Sequence, residues 1–374
     1  MAGLSKENPL KNAFNERVIK HLAGEIKKNY KAFKADEFFN ETIGKFPALG
    51  FLERSKHIMD MLYKYLPAEF TKAAEILIKS LGPELGDDEM GTFDSFVVMS
   101  QCDFISTYGK AHFDISIKAL YEMTKRFSAE GDLRTFLEVD YDKSMKMLHE
   151  WCNDSNPHVR RLVSEGTRPR LPLAGRIKRF QKDPKPVIEL LDKLKDDSSL
   201  YVRRSVANNI NDIAKDNPEK AIETLKRWYS SKSKNVHWVV RHASRSLLKS
   251  GNEDVLSFLG YPSNSAITVT PVTIDKSNYS VGDKVLISFS ISSNEKTKVK
   301  LMVDYVINYV KANSKGADKV FKMRDIVISP NQKINIEKAH WLRNTSGRRH
   351  FPGKHSVSLQ INGTRYPETS FLIQ

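Results

Sequence analysis

Two acidic residues, Glu165 and Asp212, stand out because each lies among arginines on a segment with helical periodicity. The segment Val159–Leu173 begins with apolar residues at helical spacing, so Arg161 and Glu165 become i,i+4 neighbours on another face of the same helix. A carboxylate in such a setting can stabilise developing positive charge and accept a proton from an attacking water. An ordinary solvated helix face with i,i+4 ion pairs is the competing interpretation.

An internal repeat places these two acids on equivalent helices. Residues 153–161 match residues 196–204 at an offset of 43, and a weaker copy occupies residues 239–244. A repeat near 40 residues, in which Asp opens a turn and Val-Arg-Arg begins a helix, is typical of HEAT repeats. Equivalent faces of stacked repeats lie side by side, so we expect Glu165 and the Asn208/Asp212 pair on one concave surface. Two unrelated helices that share a short basic motif are the alternative.

The polar face around these acids is rich in arginine and asparagine, whereas a merely solvated face favours lysine and glutamate. Arginine and asparagine bind phosphates and base edges well. The sequence therefore predicts a DNA-binding face formed by Arg161, Arg168, Arg170, Arg204, Asn208 and Asn211.

The chain changes character near residue 262. Residues 1–262 read as helices, although the stretch 87–107 has no clear period and is expected to mix loop with short helix. Beyond residue 262, about seven short alternating segments separated by turns predict an immunoglobulin-like β-sandwich over residues 263–374, with a barrel as the alternative. The fold class is therefore mainly α, a HEAT-like solenoid followed by a small all-β domain.

The charge distribution gives the second domain a predicted role. The chain of 374 residues carries a net charge of +15, and residues 263–374 hold 17 Lys and Arg against 8 Asp and Glu. Such an excess indicates a polyanionic partner. The segment 341–354 is typical of a long hairpin loop, and its basic residues would let the domain clamp DNA: Arg343, Arg348, Arg349 and Lys354.

Several classes of protein are excluded or disfavoured. No run of about 18 apolar residues is present, so no membrane span is expected. The first 20 residues lack the apolar core of a signal peptide, and two cysteines make no disulfide framework, so a reducing cytoplasm fits best. Motifs for metal binding and for phosphate loops are missing, and neither a metal nor an organic cofactor is expected.

Two blocks, Arg160–Pro172 and Arg203–Asp216, resemble the AlkC family of bacterial DNA alkylation-repair glycosylases. The C-terminal domain resembles the branch of that family that appends an immunoglobulin-like domain. The resemblance implies excision of N3-alkyladenine (3-methyladenine) from duplex DNA for base excision repair. It also implies a bacterial cytoplasmic protein, associated with the nucleoid through DNA and acting as a monomer without an obligatory protein partner.

The resemblance also implies roles for individual residues. It places Glu165 and Asp212 in the catalytic cleft and adds Glu130 as a third acid. Leu173 departs from the pattern, since an aromatic residue is expected there. If the family uses that ring against the sugar or the lesion, a tryptophan elsewhere has to replace it, the candidates being Trp151, Trp228 and Trp238.

Two other functions are compatible with the residues alone. A HEAT-repeat DNA-binding protein without catalysis would keep the arginines and tolerate replacement of Glu165 and Asp212. A protein-binding adaptor is a common role of HEAT arrays, but it leaves the basic excess and the Arg-Asn face without a purpose.

Overall fold

The computed structural model describes residues 10–87, 91–312, 316–345 and 347–374. Within those ranges the chain forms α-helices up to residue 258 and β-strands from residue 267. The helices are α1 (Glu16–Asn29), α2 (Ala35–Lys45), α3 (Phe51–Tyr65), α4 (Phe70–Lys79), α5 (Val97–Tyr108), α6 (Phe113–Thr124), α7 (Leu133–Val139), α8 (Tyr141–Trp151), α9 (Pro157–Gly166), α10 (Lys178–Lys182), α11 (Lys185–Leu194), α12 (Leu200–Asp216), α13 (Pro218–Tyr229), α14 (Lys234–Ala243), α15 (Arg245–Lys249) and α16 (Glu253–Phe258).

The three copies of the sequence repeat become three packed helices. Helix α9 packs against α12, and α12 packs against α14. Local sequence begins the first two in the same way, because the Asn156 side chain accepts from the His158 amide and the Ser199 hydroxyl accepts from the amides of Tyr201 and Val202. Their apolar stripes are fully buried in the packed layer: Val159, Leu162, Val163, Val202, Val206, Ile210 and Ile213. This arrangement confirms the predicted HEAT-like repeat.

The chain divides into two compact units. The first comprises Met1–Thr224 and Ser231–Ala243, and the second Leu225–Ser230 and Ser244–Gln374. The change from helix to strand between residues 258 and 267 brackets the predicted division at residue 262, but the second unit also takes in helices α15 and α16. Within the described ranges no helix combines the length and the apolar character that a membrane span requires.

The strands of the second unit form two sheets with a shared core. The strands are β1 (Ile267–Val269), β2 (Thr273–Ile274), β3 (Asn278–Tyr279), β4 (Lys284–Ser293), β5 (Val299–Val310), β6 (Gly316–Ile328), β7 (Lys333–Trp341), β8 (Gly353–Ile361), β9 (Thr364–Arg365) and β10 (Thr369–Ile373). In the described residues, β4 pairs with β1, β2 and β7 in one sheet, while β3, β10, β8, β5 and β6 follow in order in the other, with β9 against β8. Alternate residues of both sheets, such as Ile287 and Leu359, are buried together, as in a sandwich.

The described part of the aperiodic stretch 87–107 mixes loop with short helix, as expected. A 3-10 helix, Phe93–Phe96, precedes α5, which has 12 residues. Its periodicity is hidden because polar residues on it are buried as well as apolar ones, among them Ser100 and Gln101. The hydroxyl of Ser100 lies 3.0 Å from that of Ser55 on α3, so a polar contact between helices replaces part of the expected apolar stripe.

Candidate active site

Close packing of α9 and α12 brings the two predicted acids together. Glu165 lies at the C-terminal end of α9, and Asp212 lies in the last turns of α12; only 4% and 2% of their surfaces are exposed. Gly166 follows Glu165, and a Cβ at that position would lie 2.7 Å from Leu133 Cδ2. A larger residue at this position would therefore force the Leu133 side chain of α7 to move.

The side chain of Arg168 bridges the two acids. Its Nη1 donates to Glu165 Oε2 at 2.9 Å, and its Nη2 lies 2.7 Å from Asp212 Oδ2. Arg161 extends the chain of charges, with its Nη2 2.9 Å from Glu130 Oε2 and 4.0 Å from Glu165 Oε1. We call these five residues, which alternate in charge, the acid–arginine network.

Contacts around the network fix its orientation. Arg161 lies over the ring of Tyr201 at 4.6 Å and donates from Nη1 to the Ser128 hydroxyl at 3.0 Å. Ser128 in turn donates to Glu130 at 2.8 Å. On the far side of Asp212, Lys215 donates to Oδ1 at 2.8 Å. Each carboxylate of the network is therefore held by at least one donor.

Burial and charge oppose each other at the two arginines. Burial alone would lower the pKa of Arg168, but Glu165 and Asp212 outweigh it and raise that pKa. The same holds for Arg161, whose pKa is raised because Glu130 and Glu165 outweigh its burial. Both guanidinium groups are consequently charged at neutral pH.

Arg134 of α7 holds the loop between α9 and α10 through hydrogen bonds to its backbone. This buried guanidinium donates to the backbone carbonyls of Arg168, at 2.8 Å, and Gly175. Burial lowers the pKa of Arg134 to about 10, so it is still charged at neutral pH. Leu173 lies in the same loop, with a φ of 63° and 90% of its surface exposed.

The remaining predicted basic residues of this face divide into paired and exposed groups. Arg170 is paired with Asp216, with its Nε donating to Oδ2 at 2.8 Å. Arg204 is exposed, and no carboxylate in the described part of the chain lies within ion-pair distance of it. Arg161, Arg168 and Arg170, predicted as phosphate contacts, are thus bound to carboxylates here, so their first role in this geometry is to orient acids.

The asparagines of α12 differ from the prediction. Asn208 is half-buried, and Asn211 is buried with a side-chain oxygen that has no hydrogen-bond partner among the described residues. Sequence reasoning missed Asn209, which donates to the Ser164 carbonyl at 2.8 Å and to the Thr167 hydroxyl at 3.2 Å. Asn209 thereby connects α12 to the end of α9 that carries Glu165. Its position on the apolar side of α12 was the available signal.

The three tryptophans considered as replacements for an aromatic at residue 173 have different environments. Trp228 is only 1% exposed, and this burial argues against a contact with sugar or lesion. Trp151 is half-buried beside Tyr121, with ring centroids 5.4 Å apart. Trp238 is half-buried and stacks on His242 at 5.0 Å.

The basic residues of the predicted loop in the second unit also differ in exposure and contacts. Arg349 and Lys354 are exposed, whereas Arg348 is half-buried against the rings of Tyr309 and Phe321, at 5.3 and 5.2 Å. Arg348 also donates to the Tyr309 hydroxyl at 3.4 Å. The guanidinium of Arg348 therefore binds to aromatic residues of its own domain.

The arrangement in the first unit suits hydrolysis through a cationic transition state. Two carboxylates held close together can stabilise positive charge on a sugar and direct a water molecule. In the described ranges, no group of three or more His, Cys, Asp or Glu is placed to hold a metal ion.

Comparisons with known proteins identify the family of the chain. Residues 268–374 match the family described as "Uncharacterised protein YhaZ, C-terminal Ig-like domain". The chain is 34% identical over 355 residues to the uncharacterized protein YhaZ of Bacillus subtilis, covering 95% of this chain and 96% of the relative. The solved structure of the alkylpurine DNA glycosylase AlkC of Pseudomonas fluorescens, bound to DNA with an abasic site analog, superposes with a TM-score of 0.90. That protein is 33% identical, and the match covers 98% of this chain and 99% of the other. The protein therefore belongs to the AlkC family.

Proposed function

We propose that this protein is an alkylpurine DNA glycosylase, which hydrolyses the N-glycosidic bond of a cationic alkylated purine in duplex DNA. The observation that carries the proposal is the bridging of Glu165 on α9 and Asp212 on α12 by Arg168. The likeness to the alkylpurine DNA glycosylase AlkC of Pseudomonas fluorescens, at 33% identity over 98% of the chain, supports the same reaction.

The proposed mechanism needs few groups. An N-alkylated purine is already cationic, so the bond from C1′ to the base breaks with both electrons passing to the base, which leaves neutral. The sugar then carries the positive charge, and Glu165 and Asp212 stabilise it electrostatically. Water attacks C1′, and one of the carboxylates accepts its proton. Neither step, as written, calls on a metal or an organic cofactor.

The finer assignments belong to the same proposal. We place 3-methyladenine as the principal lesion, as the family resemblance implies, and its positive charge removes the need for a general acid. Residues 1–262 would carry the glycosylase reaction, and residues 263–374 would help to hold duplex DNA. The protein would act in the cytoplasm, associated with the nucleoid through DNA, as a monomer without an obligatory protein partner.

One experiment separates this proposal from a DNA-binding protein without catalysis. The protein is incubated with methylated duplex DNA, and the released bases are identified by chromatography. Release of free 3-methyladenine supports the glycosylase. Tight binding without release of any base, under conditions in which a known glycosylase releases it, would favour the non-catalytic alternative.

A further inference from the structure

Two cations lie against one exposed tryptophan at an end of the sandwich. Trp341 closes β7 and is the cross-strand partner of Lys284, which opens β4. The Nζ of Lys284 lies 4.3 Å from the centre of the Trp341 ring, and the Cζ of Arg343 lies 3.9 Å from it. Trp341 remains 42% exposed. We call these three residues the tryptophan platform.

The charge of the platform is uncompensated. Neither Lys284 nor Arg343 has a carboxylate within ion-pair distance in the described ranges. Both lie close to one ring centre, so the two cations are within about 8 Å of each other. Like charges repel at that separation, while cation–π attraction to the ring holds them in place. An arriving anion relieves the repulsion and finds both side chains already ordered.

Backbone hydrogen bonds fix the platform to the sheet. The Leu342 amide donates to the Asp283 carbonyl at 2.9 Å, and the Gly282 amide donates to the Leu342 carbonyl at 2.8 Å. The turn before β4 and the chain after β7 are therefore joined beside Trp341. The positions of both cations consequently depend on regular structure more than on a free loop.

We infer that the tryptophan platform binds the phosphate backbone of duplex DNA. This inference rests on the proposed function and adds a binding surface to it. Residues 263–374 carry 17 Lys and Arg against 8 Asp and Glu, so this surface belongs to a domain with a strong basic excess. Duplex DNA offers closely spaced phosphates that two adjacent cations can neutralise together. Trp341 orders the cations and reads no base, so binding is independent of sequence.

Binding of the full chain to undamaged duplex, measured by fluorescence anisotropy at several salt concentrations, tests the inference. Arg343→Ala and Lys284→Ala should each weaken binding about fivefold at 0.15 M salt and reduce the salt slope by about 0.9, because each removes one neutralised phosphate. Lys333→Ala is the matched control, since Lys333 is exposed at the opposite end of β7, roughly 26 Å away. It should bind like the wild type.

The role of the ring is tested by a double-mutant cycle. Trp341→Leu keeps both charges but removes the cation–π surface, so we expect a loss of about twofold with an unchanged salt slope. In the Trp341→Leu background, Arg343→Ala should reduce the affinity for duplex DNA by a smaller factor than it does in the wild type. Trp341→Phe should bind more tightly than Trp341→Leu, because it keeps an aromatic ring. Base release at subsaturating protein should fall by the same factors as the affinity.

The outcomes separate this inference from the proposed function. Wild-type affinity and salt slope in the Arg343 and Lys284 variants would overturn it and assign the surface to another anion, such as an acidic protein. Equal losses in the Lys333 control would also overturn it, since any lysine on the strand would then serve. A protein that binds duplex through the platform but releases no alkylated base would contradict the glycosylase proposal alone.

Discussion

The acid–arginine network and the tryptophan platform use the same kind of cation in opposite ways. In the network, Arg161 and Arg168 are largely buried, and each contacts two carboxylates. On the platform, Lys284 and Arg343 lie on an exposed ring without an acidic partner in the described residues. Arginine beside an acid orients that acid, whereas a cation without an acid attracts a phosphate.

This difference shows why a count of arginines alone does not tell which cations are available to a phosphate. Three of the four arginines predicted for the face around Glu165 are paired with carboxylates: Arg161, Arg168 and Arg170. Arg204 on the same face, and Lys284 and Arg343 in the second unit, have no carboxylate within ion-pair distance in the described ranges. Separating paired from unpaired cations required coordinates.

The largest effect should come from neutralising the acids of the network. Glu165→Gln or Asp212→Asn should reduce base release by about a hundredfold or more while DNA binding persists, because charge stabilisation acts mainly in the transition state. Single-turnover release with saturating protein measures the effect. Asp216→Asn, on the same helix and paired with Arg170, is the matched control and should lose far less. Near-wild-type release from both acid variants would remove them from the mechanism.

A smaller but more diagnostic effect is expected at Arg168. Arg168→Gln leaves two buried carboxylates without their bridge, so unfolding free energy should fall by about 3 kcal/mol and base release by about tenfold. The salt slope of DNA binding should stay unchanged, because the guanidinium faces acids in the structure. A slope lowered by about 0.9 would instead identify Arg168 as a phosphate contact.

Arg204 tests the comparison within the first unit. Arg204→Ala should weaken duplex binding about fivefold at 0.15 M salt, since this exposed cation has no acid to neutralise it. Arg170→Ala should lose less affinity, because Asp216 already balances its charge. The affinity of both variants for duplex DNA is measured by titration at two salt concentrations. Equal losses of affinity would show that pairing with a carboxylate does not affect how much an arginine contributes to DNA binding.

The smallest effect concerns a buried acid without any cation. Burial, together with Asp103, raises the pKa of Asp132 from 3.8 to about 7. The folded state binds this proton more tightly than the unfolded state, so the stabilisation is complete below about pH 4 and is lost as pH rises through about 7. Asp132→Asn should narrow the difference in Tm between pH 5 and pH 8 by several degrees. The exposed Asp142→Asn should leave that difference as it is.

The sequence predicted the elements better than it predicted contacts. The repeat at an offset of 43 correctly paired α9 with α12, because the buried valines and the capping residues recur in both copies. The stretch that contains most of α5 showed no helical period because the buried face of this helix includes a serine and a glutamine. Local pattern carries information on which face is buried only when the buried face is apolar.

The proximity of Glu165 and Asp212 was predictable from the sequence, whereas the ion pairs that orient them were not. Register alone placed Glu165 and Asp212 on neighbouring helices, and the family resemblance added Glu130. Nothing in the spacing showed that Arg168 would bridge the two acids, because it lies in a loop whose course depends on Arg134. Trp341 was likewise passed over, since its relation to Lys284 arises from strand register across a gap of more than fifty residues.

The backbone conformation of Leu173 affects which residues position 173 can accept. A leucine with a φ of 63° costs roughly 1 kcal/mol relative to glycine, and its exposed side chain gains no burial in return. A library selected for heat resistance alone should therefore accumulate Gly or Asn at this codon. If the loop contacts DNA, a library selected for survival of alkylation damage should retain a bulky apolar residue at this position. The two selections would then favour different residues at position 173.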